Sequence, residues 1–325
     1  MAGRKLLYLS RADVEAIAMP MAEVIEAVEE ALREKGTGRA EMPPKIGIHP
    51  RPDSLCHAMP AWLPAAGGAG IKWVSAFPAN AEKGLPQVSG LITINDPDTG
   101  LPLCVMDCTW VTAVRTGAAT AVAARYLARG DSETVAIVAC GVQGRSNLQA
   151  LKTVLPELSK VKAFDSRCDT AQAYAAEMRA SLGIEVQIAE SAQEAVRDSD
   201  IVVTSGPISR RSDWKLGPES FAEGTFISAV DLDSYLKPEV FAAAGKFYTD
   251  DSAQFASYRR MGFFEGVTDP MGDLGDILAG RKPGRENDRE ITISANLGLA
   301  VEDVAVAARV YRKALAAGIG TELPL

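Results

Sequence analysis

The sequence has little that would tie the chain to a membrane or to a nucleic acid. It contains no run of about 18 apolar residues, the length that spans a bilayer, and its first 17 residues mix charged and apolar residues unlike a secretion signal. Its 34 Lys and Arg residues are outnumbered by 42 Asp and Glu residues, and no basic cluster offers a nucleic-acid surface. We therefore expect a cytoplasmic protein whose partners are small molecules.

Cysteine and histidine are also scarce. There are only two histidines, and the five cysteines form an odd, scattered set: Cys56, Cys104, Cys108, Cys140 and Cys168. Such a set argues against a disulfide framework and fits a reducing compartment. Cys104 and Cys108 are close in sequence, but no second pair or nearby histidine completes a zinc site, so we expect no metal.

The first third of the chain combines one helix with several strands. Residues 10–36 carry apolar residues at helical spacing and predict a single helix that begins at Ser10. Between residues 43 and 107, short apolar runs broken by Pro and Gly are typical of strands and turns. Asp98-Thr99-Gly100 predicts a hairpin turn between two of them. This region is therefore predicted to be α+β.

After this region the pattern changes to alternating helices and apolar strands. A helix is predicted over residues 112–128, followed by strands at 135–139, 160–165, 184–188, 201–205, 225–229 and 246–249 with helices among them. This alternation indicates a parallel sheet covered on both faces. We expect an α/β Rossmann-type domain with a doubly wound parallel sheet at residues 120–295, and a second α+β domain from 1–119 and 296–325. The charged loop 281–289 is the internal stretch expected to be least ordered.

A dinucleotide fingerprint stands at the start of the predicted Rossmann-type domain. The apolar strand ending at Ala139 is followed by Gly141-Val142-Gln143-Gly144, which approximates G-x-G-x-x-G with Ala139 in the first position. The second glycine would let the backbone approach a pyrophosphate, held by the N–H groups of the following helix. Arg145 could add a cation there. A strand-to-helix turn that needs glycine only for its geometry is the alternative.

An acidic residue at the end of the next strand strengthens this interpretation. Asp165 lies 24 residues beyond Gly141, close to the spacing expected for a partner of the ribose hydroxyls. Asp165 or Ser166 could instead cap the next helix. Asp165 would repel a 2′-phosphate and favours NAD, whereas Arg167 could serve NADP.

Motifs spread over almost the entire chain resemble the ornithine cyclodeaminase and μ-crystallin family. They are Pro43-Pro44-Lys45, Met59-Pro60-Ala61, Gly70-Ile71-Lys72-Trp73, Gly84-Leu85-Pro86 with Gly90, residues 107–129 containing Arg115-Thr116-Gly117-Ala118, the Gly141–Gly144 turn, and Ala229-Val230-Asp231-Leu232-Asp233. The resemblance implies a Rossmann domain beside an α+β domain that binds substrate and forms homodimers. It also implies NAD(P)-dependent oxidation of an amino acid to an imine, or reduction of an imine.

The resemblance also implies the roles of individual residues. Cations that bind the substrate carboxylate fall on Lys45, Lys72 and Arg115, Lys72 counting as catalytic too, and the acid/base falls on Asp233. Residue chemistry agrees, because an arginine fork suits a carboxylate, and a lysine within an apolar strand needs an anionic partner. Surface positions for Arg115 and Lys72, and Asp231 as the acid, are the alternatives. The cofactor residues are Thr116, Gly141, Val142, Gln143, Gly144, Asp165, Ser166, Arg167, Thr204, Ser205, Val230 and Asp231.

Two departures from the family bear on the substrate. The family's ornithine enzymes carry glutamate where this chain has His57, and arginine where it has Lys45. Histidine removes a fixed negative charge and can add a positive one, so a distal ammonium on the substrate loses its partner. An interior role for His57 is the alternative, and His49 is expected on the surface. We predict an imine reductase or amino-acid dehydrogenase; the alternatives are an ornithine cyclodeaminase and a non-catalytic binding protein of the μ-crystallin kind.

Overall fold

A computed structural model describes residues 4–208 and 215–325. Its helices and strands are, in chain order, β1 (Lys5–Leu9), α1 (Arg11–Ala16), α2 (Met21–Gly36), β2 (Ile46–Ile48), β3 (Leu55–Leu63), β4 (Gly68–Ala76), β5 (Val88–Asn95), β6 (Pro102–Asp107), α3 (Thr109–Leu127), β7 (Thr134–Val138), α4 (Val142–Val154), β8 (Lys160–Phe164), α5 (Cys168–Leu182), β9 (Glu185–Ile188), α6 (Ala192–Val196), β10 (Ile201–Thr204), β11 (Phe226–Ala229), α7 (Pro238–Ala243), β12 (Lys246–Thr249), α8 (Ser252–Arg260), α9 (Leu274–Leu278), β13 (Thr292–Ala295), α10 (Ala300–Ala317) and β14 (Thr321–Pro324). None of the described helices is long and apolar enough to cross a membrane.

The chain divides into two compact units. The first unit consists of Met1–Arg115 together with Leu299–Leu325, and the second unit is Thr116–Gly298. The first unit is therefore discontinuous in sequence, since its last helix and strand follow the whole of the second unit.

The first unit is built on a seven-stranded sheet in the order β14-β1-β6-β5-β4-β3-β2. Helix α10 packs against α2 and against strands β3, β4 and β5, and so covers one face of this sheet. The predicted turn at Asp98-Thr99-Gly100 joins β5 to β6, with Gly100 at a φ of 72°. This unit is α+β, as the sequence predicts.

The single helix predicted over residues 10–36 is wrong. Ser10 does cap a helix, because its hydroxyl accepts a hydrogen bond from the Asp13 N–H and the Asp13 carboxylate accepts from the Ser10 N–H. That helix ends at Ala16, and a second one begins at Met21 after Pro20. Proline disfavours helical geometry at the residue before it and cannot donate its own backbone N–H, so the chain breaks into α1 and α2 there.

The second face of the first unit's sheet carries exposed apolar side chains. Register places Trp73 of β4 opposite Leu91 of β5 and Ala58 of β3. Large apolar side chains exposed on this face are Tyr8 on β1, Ile46 and Ile48 on β2, Trp62 on β3, Trp73 on β4 and Leu91 on β5. We call this set the open face. Contiguous apolar surface of this kind is typical of an interaction site.

The second unit is a seven-stranded sheet in the order β12-β13-β11-β10-β7-β8-β9, and every pairing in it is parallel. Strands β7, β10, β11 and β13 are buried throughout, and helices lie in the connections between strands. The predicted Rossmann-type, doubly wound α/β fold is confirmed. The strand order reverses between β7 and β10, the position at which ligands bind such sheets.

The charged loop at residues 281–289 is well anchored, contrary to the prediction that it is the least ordered stretch. The Arg285 guanidinium donates hydrogen bonds to the backbone carbonyls of Leu127, Gly224 and Glu290. It also donates to the Thr292 hydroxyl. A single arginine thus ties the loop to the second unit, which a count of charges along the chain could not show.

Candidate functional site

Four charged side chains form a buried cluster in the first unit. Lys72 on β4 donates to Asp303 Oδ1 at 2.6 Å, and the Arg115 Nε donates to the same oxygen at 3.1 Å. Arg115 Nη1 also donates to Glu302 Oε2 at 3.0 Å. All four residues are buried. Two of the predicted carboxylate-binding residues, Lys72 and Arg115, are thus brought together. We call Lys72, Arg115, Glu302 and Asp303 the ion cluster.

The first turn of α10 supplies the two acids. Glu302 and Asp303 are adjacent, and Glu302 Oε2 also accepts the backbone N–H of Leu299 at 3.2 Å, which fixes the start of the helix. Within the described residues, Glu302 Oε1 and Asp303 Oδ2 are buried without a hydrogen-bond partner. The cluster therefore contains acceptor atoms that no described residue uses.

Burial shifts the protonation of the ion cluster. It lowers the pKa of Lys72 to about 8, although the negative charge of Asp303 acts in the opposite direction. Burial raises the pKa of Glu302, against the attraction of the Arg115 charge. Both shifts have the same physical cause, the loss of hydration of a charged group in a buried site.

Lys45 and His57 belong to the same electrostatic neighbourhood. His57 on β3 is 9% exposed, and burial, followed by the charges of Lys45, His49 and Lys72, lowers its pKa to about 4. The imidazole is therefore neutral near pH 7, and the positive charge considered from the sequence is not present there. Its ring lies against Gly47, where an added Cβ would come within 2.3 Å of His57 Cδ2. His49 is exposed, as predicted.

The predicted glycine loop in the second unit has the local geometry of a dinucleotide fingerprint. An added Cβ at Gly144 would lie 2.6 Å from the Ala139 carbonyl oxygen, so glycine is needed for close packing of α4 on β7. An added Cβ at Gly141 would meet no protein atom within 4 Å, so it would enter only the space at the helix N-terminus. Ala139 has a φ of 75°, a backbone conformation that favours glycine. The loop therefore fits a bound pyrophosphate.

The predicted ribose partner is tied to the same loop. Asp165 follows β8, and its Oδ2 accepts the Cys140 N–H while its Oδ1 accepts the Arg167 N–H, both at 2.9 Å. Arg167 is the N-cap residue of α5 without a side-chain cap, and Ser166 and Arg167 are exposed. Arg145 donates to the Gly141 carbonyl and to Glu177, so its guanidinium is held by the protein.

The remaining predicted cofactor residues have different environments. Val142 is exposed in the first turn of α4, whereas Gln143 is half-buried and Thr116 on α3 is buried. The Ser205 hydroxyl donates to the Ala139 carbonyl at 3.0 Å, which joins the ends of β7 and β10 at the reversal of strand order. The Val230 N–H donates to the Thr204 carbonyl. These residues stay predictions as cofactor contacts.

Asp231 and Asp233 differ in how their carboxylates are used. Asp231 Oδ1 accepts the Thr204 hydroxyl at 2.7 Å and Oδ2 accepts the Gly206 N–H at 2.8 Å, so both oxygens are engaged. Asp233 Oδ2 accepts the Phe264 N–H at 2.9 Å, whereas Oδ1 is buried without a partner among the described residues. Burial raises the pKa of Asp233, and that of Asp231 to about 7. The geometry therefore favours Asp233 as the group that exchanges protons.

Sequence reasoning missed Glu302 and Asp303. Adjacent acids in the first turn of a helix are common, because they interact favourably with the helix dipole, and the sequence offered no other signal. Their closeness to Lys72 and Arg115 becomes visible only in the folded first unit, where α10 packs against β4. The sequence therefore predicted the two cations of the ion cluster but not its two anions.

The fold and the site residues together indicate the general activity of the protein. A Rossmann-type unit with a glycine loop, an acid at the next strand end and a buried acid is typical of a dinucleotide-dependent oxidoreductase. Residues 5–318 match the ornithine cyclodeaminase/mu-crystallin family. The chain belongs to this family, which confirms the resemblance seen in the sequence.

Three relatives show the range of similarity. The chain is 39% identical over 325 residues to an alanine dehydrogenase of Archaeoglobus fulgidus, covering 98% of each chain. It is similar to the structure of Thermococcus litoralis Delta(1)-pyrroline-2-carboxylate reductase in complex with NADH and L-proline, with 38% identity, a TM-score of 0.90, and 97% and 99% of the two chains covered. An archaeal alanine dehydrogenase dimer with bound NAD has 38% identity and a TM-score of 0.88, with 99% and 100% covered.

Proposed function

We propose that the protein is an NAD(P)-dependent oxidoreductase that interconverts an α-amino acid and its α-imino acid. The observation that carries this proposal is the burial of Lys72 and Arg115 side by side in the ion cluster. Two buried cations near each other suit a carboxylate, and a fork of N–H donors holds it in one orientation. The relatives named alanine dehydrogenase and Delta(1)-pyrroline-2-carboxylate reductase act on substrates of this kind.

The proposed site residues have different roles. Lys72, Arg115 and Lys45 of the first unit would bind the substrate carboxylate, and orientation of the reacting carbon follows from that anchor. Asp233 of the second unit would accept a proton from the substrate ammonium before oxidation, or keep an imine protonated for reduction, through Oδ1. The nicotinamide, when bound, supplies or accepts the hydride. The positive charge of Lys72 would stabilise the negative charge of the substrate carboxylate.

We infer that NAD is favoured over NADP. The Asp165 carboxylate at the end of β8 would repel a 2′-phosphate and accept from ribose hydroxyls, and the structures of two relatives contain NADH and NAD. Both Asp165 oxygens accept one backbone N–H each, and each oxygen has a second acceptor position. Titration of protein fluorescence with NADH and NADPH tests this, with tighter binding of NADH expected. Absence of binding of both NADH and NADPH would contradict the dinucleotide site itself.

The neutral His57 bears on the substrate class. An imidazole that carries no charge near pH 7, surrounded by Lys45, His49 and Lys72, offers no counter-ion for a distal ammonium. We therefore expect amino acids with neutral, polar or acidic side chains to be accepted, and ornithine to be a poor substrate.

One experiment separates the proposed redox reaction from cyclisation. The protein is incubated with NADH, ammonia and small 2-oxo acids, and separately with NAD and L-alanine or L-proline, while absorbance at 340 nm is followed. A change in absorbance with at least one pair is expected. Incubation with ornithine and catalytic NAD is the control: rapid proline formation without accumulation of NADH would establish a cyclodeaminase instead. Absence of any turnover alongside NADH binding would favour a binding protein.

We also propose that the protein is a homodimer formed through the open face of the first unit. Trp62, Trp73, Leu91, Ile46 and Ile48 leave much apolar area exposed on one sheet surface, and pairing of two such faces about a two-fold axis would bury it. A related alanine dehydrogenase is a dimer. Light scattering should give the mass of a dimer or a multiple of one, and Trp73→Glu should yield monomer. A stable wild-type monomer at micromolar concentration would contradict this proposal.

A cytoplasmic location completes the proposal. All five cysteines are free thiols, and four of them are buried. This state suits a reducing compartment.

A further inference from the structure

The charges of the ion cluster balance without any substrate. Lys72 and Arg115 contribute two positive charges, and Glu302 and Asp303 contribute two negative charges when both are ionised. A substrate carboxylate that binds the two cations would bring a third negative charge into a buried site. Burying an uncompensated charge is costly, and neutralising one of the two acids would compensate for the carboxylate when it binds.

The two acids are not equally held as anions. Asp303 Oδ1 accepts hydrogen bonds from both cations, at 2.6 Å from Lys72 and 3.1 Å from Arg115. Glu302 Oε2 accepts from only one cation, Arg115, and from the Leu299 backbone N–H. Glu302 Oε1 is buried and has no partner within the part of the chain that the structure describes. A proton placed on Oε1 therefore disturbs no existing contact, and Glu302 is the acid that gives up its charge more easily.

We propose that Glu302 takes up a proton when the substrate carboxylate binds to Lys72 and Arg115. This inference rests on the proposed function, because it requires an amino acid or imino acid in the first unit. Glu302 would be a positioning residue: its neutral form keeps its bond to Arg115 and leaves that cation's charge for the substrate. Asp303 stays ionised and holds Lys72 in place.

The surroundings of Glu302 determine the direction of the pH dependence. It faces Asp303 on α10, Arg115 on α3 and, through Asp303, Lys72 on β4, beside which Cys108 also lies. Burial already raises the pKa of Glu302, and a third anion in the cluster raises it further. Proton uptake follows from this sign, and substrate affinity should fall as the pH rises above the pKa of Glu302 in the unliganded protein.

Isothermal titration calorimetry in two buffers of different ionisation enthalpy measures the uptake. The protein saturated with NADH is titrated at pH 7 with L-alanine or L-proline, whichever the enzyme turns over, since NADH with an amino acid gives no reaction. At pH 7 Lys72, with a pKa of about 8, is already protonated in most molecules. The wild type should take up more protons per ligand than Glu302→Gln. Contributions of the ligand amine are common to both proteins and cancel in this difference.

Glu34→Gln is the matched control, because Glu34 is also buried in the first unit but its carboxylate accepts from the Ala65 N–H instead. This variant should show the uptake of the wild type. Equal uptake in the wild type and Glu302→Gln would overturn the inference while leaving the proposed function intact. Absence of turnover with intact NADH binding would overturn the proposed function, and the inference with it.

Discussion

The ion cluster of the first unit and the glycine loop of the second unit are held together in opposite ways. In the loop, Ala139, Gly141 and Gly144 lie within six consecutive residues, and backbone geometry determines its shape. In the cluster, Lys72 contacts Asp303 across 231 positions of the chain, and charge determines its arrangement. The comparison shows that a local motif tolerates change in the rest of the chain, whereas the cluster depends on every element that brings its four charges together.

The largest expected effect concerns the acid in the second unit. Asp233→Asn should lower turnover by about 100-fold to 10,000-fold while NADH binding stays unchanged, because Asn cannot exchange a proton at the position of Oδ1. Steady-state rates and NADH titration provide the measurement. Asp231→Asn is the matched control: it replaces a carboxylate whose two oxygens accept from Thr204 and Gly206, so it should cost about 1–3 kcal/mol of stability. Full activity in Asp233→Asn would move the acid role to Asp231.

A substitution at Lys72 should break the ion cluster and leave the glycine loop of the second unit unchanged. Lys72→Met leaves Glu302 and Asp303 buried with Arg115 as their remaining cation, and removal of one partner from a buried charge pair costs roughly 3–5 kcal/mol. Urea denaturation measures the loss, and an unchanged affinity for NADH would show that the second unit is intact. Lys5→Met is the control, since Lys5 forms only an exposed ion pair with Glu322 and should change stability by about 1 kcal/mol or less. A similar loss of stability in both variants would show that the ion cluster stabilises the fold no more than an exposed ion pair does.

The third prediction separates two roles of glycine within the loop. Gly144→Ala places a Cβ 2.6 Å from the Ala139 carbonyl, so it should destabilise the fold by about 1–3 kcal/mol. Gly141→Ala meets no protein atom within 4 Å and should leave stability unchanged, yet weaken NADH binding about tenfold or more by occupying the space of the pyrophosphate. Thermal unfolding and NADH titration are measured for both. Normal NADH affinity in Gly141→Ala would place the cofactor elsewhere.

The smallest effect should be a gain. Ala139 has a φ of 75° at the end of β7, where alanine is strained and glycine is not. Ala139→Gly should therefore raise the free energy of unfolding by about 1 kcal/mol, the relief of strain exceeding the entropy that glycine adds to the unfolded chain. Ala136→Gly, within the same buried strand, is the control and should lower stability. Loss of stability in Ala139→Gly would show that the alanine methyl group packs favourably.

The sequence predicted those parts of the molecule whose signals are local. The glycine loop, the alternating strands and helices of the second unit and the turn at residues 98–100 could all be identified because each is determined within a short window. Pro20 was an equally local signal that the single-helix prediction overlooked. Glu302 and Asp303 could not be identified, because an acid that starts a helix has the same sequence signature whether it faces solvent or two buried cations.

The return of the chain to the first unit after the second unit has an effect on how the protein is made. Strand β14 pairs with β1, and α10 carries both anions of the ion cluster. During synthesis, Lys72 and Arg115 leave the ribosome long before Glu302 and Asp303 exist, so the first unit cannot bury these cations with their partners until α10 has also been synthesised. The second unit, Thr116–Gly298, is continuous and has no such delay. We therefore expect the second unit to fold first, and a nascent chain that stops before Leu299 to present an incomplete first unit to chaperones and proteases.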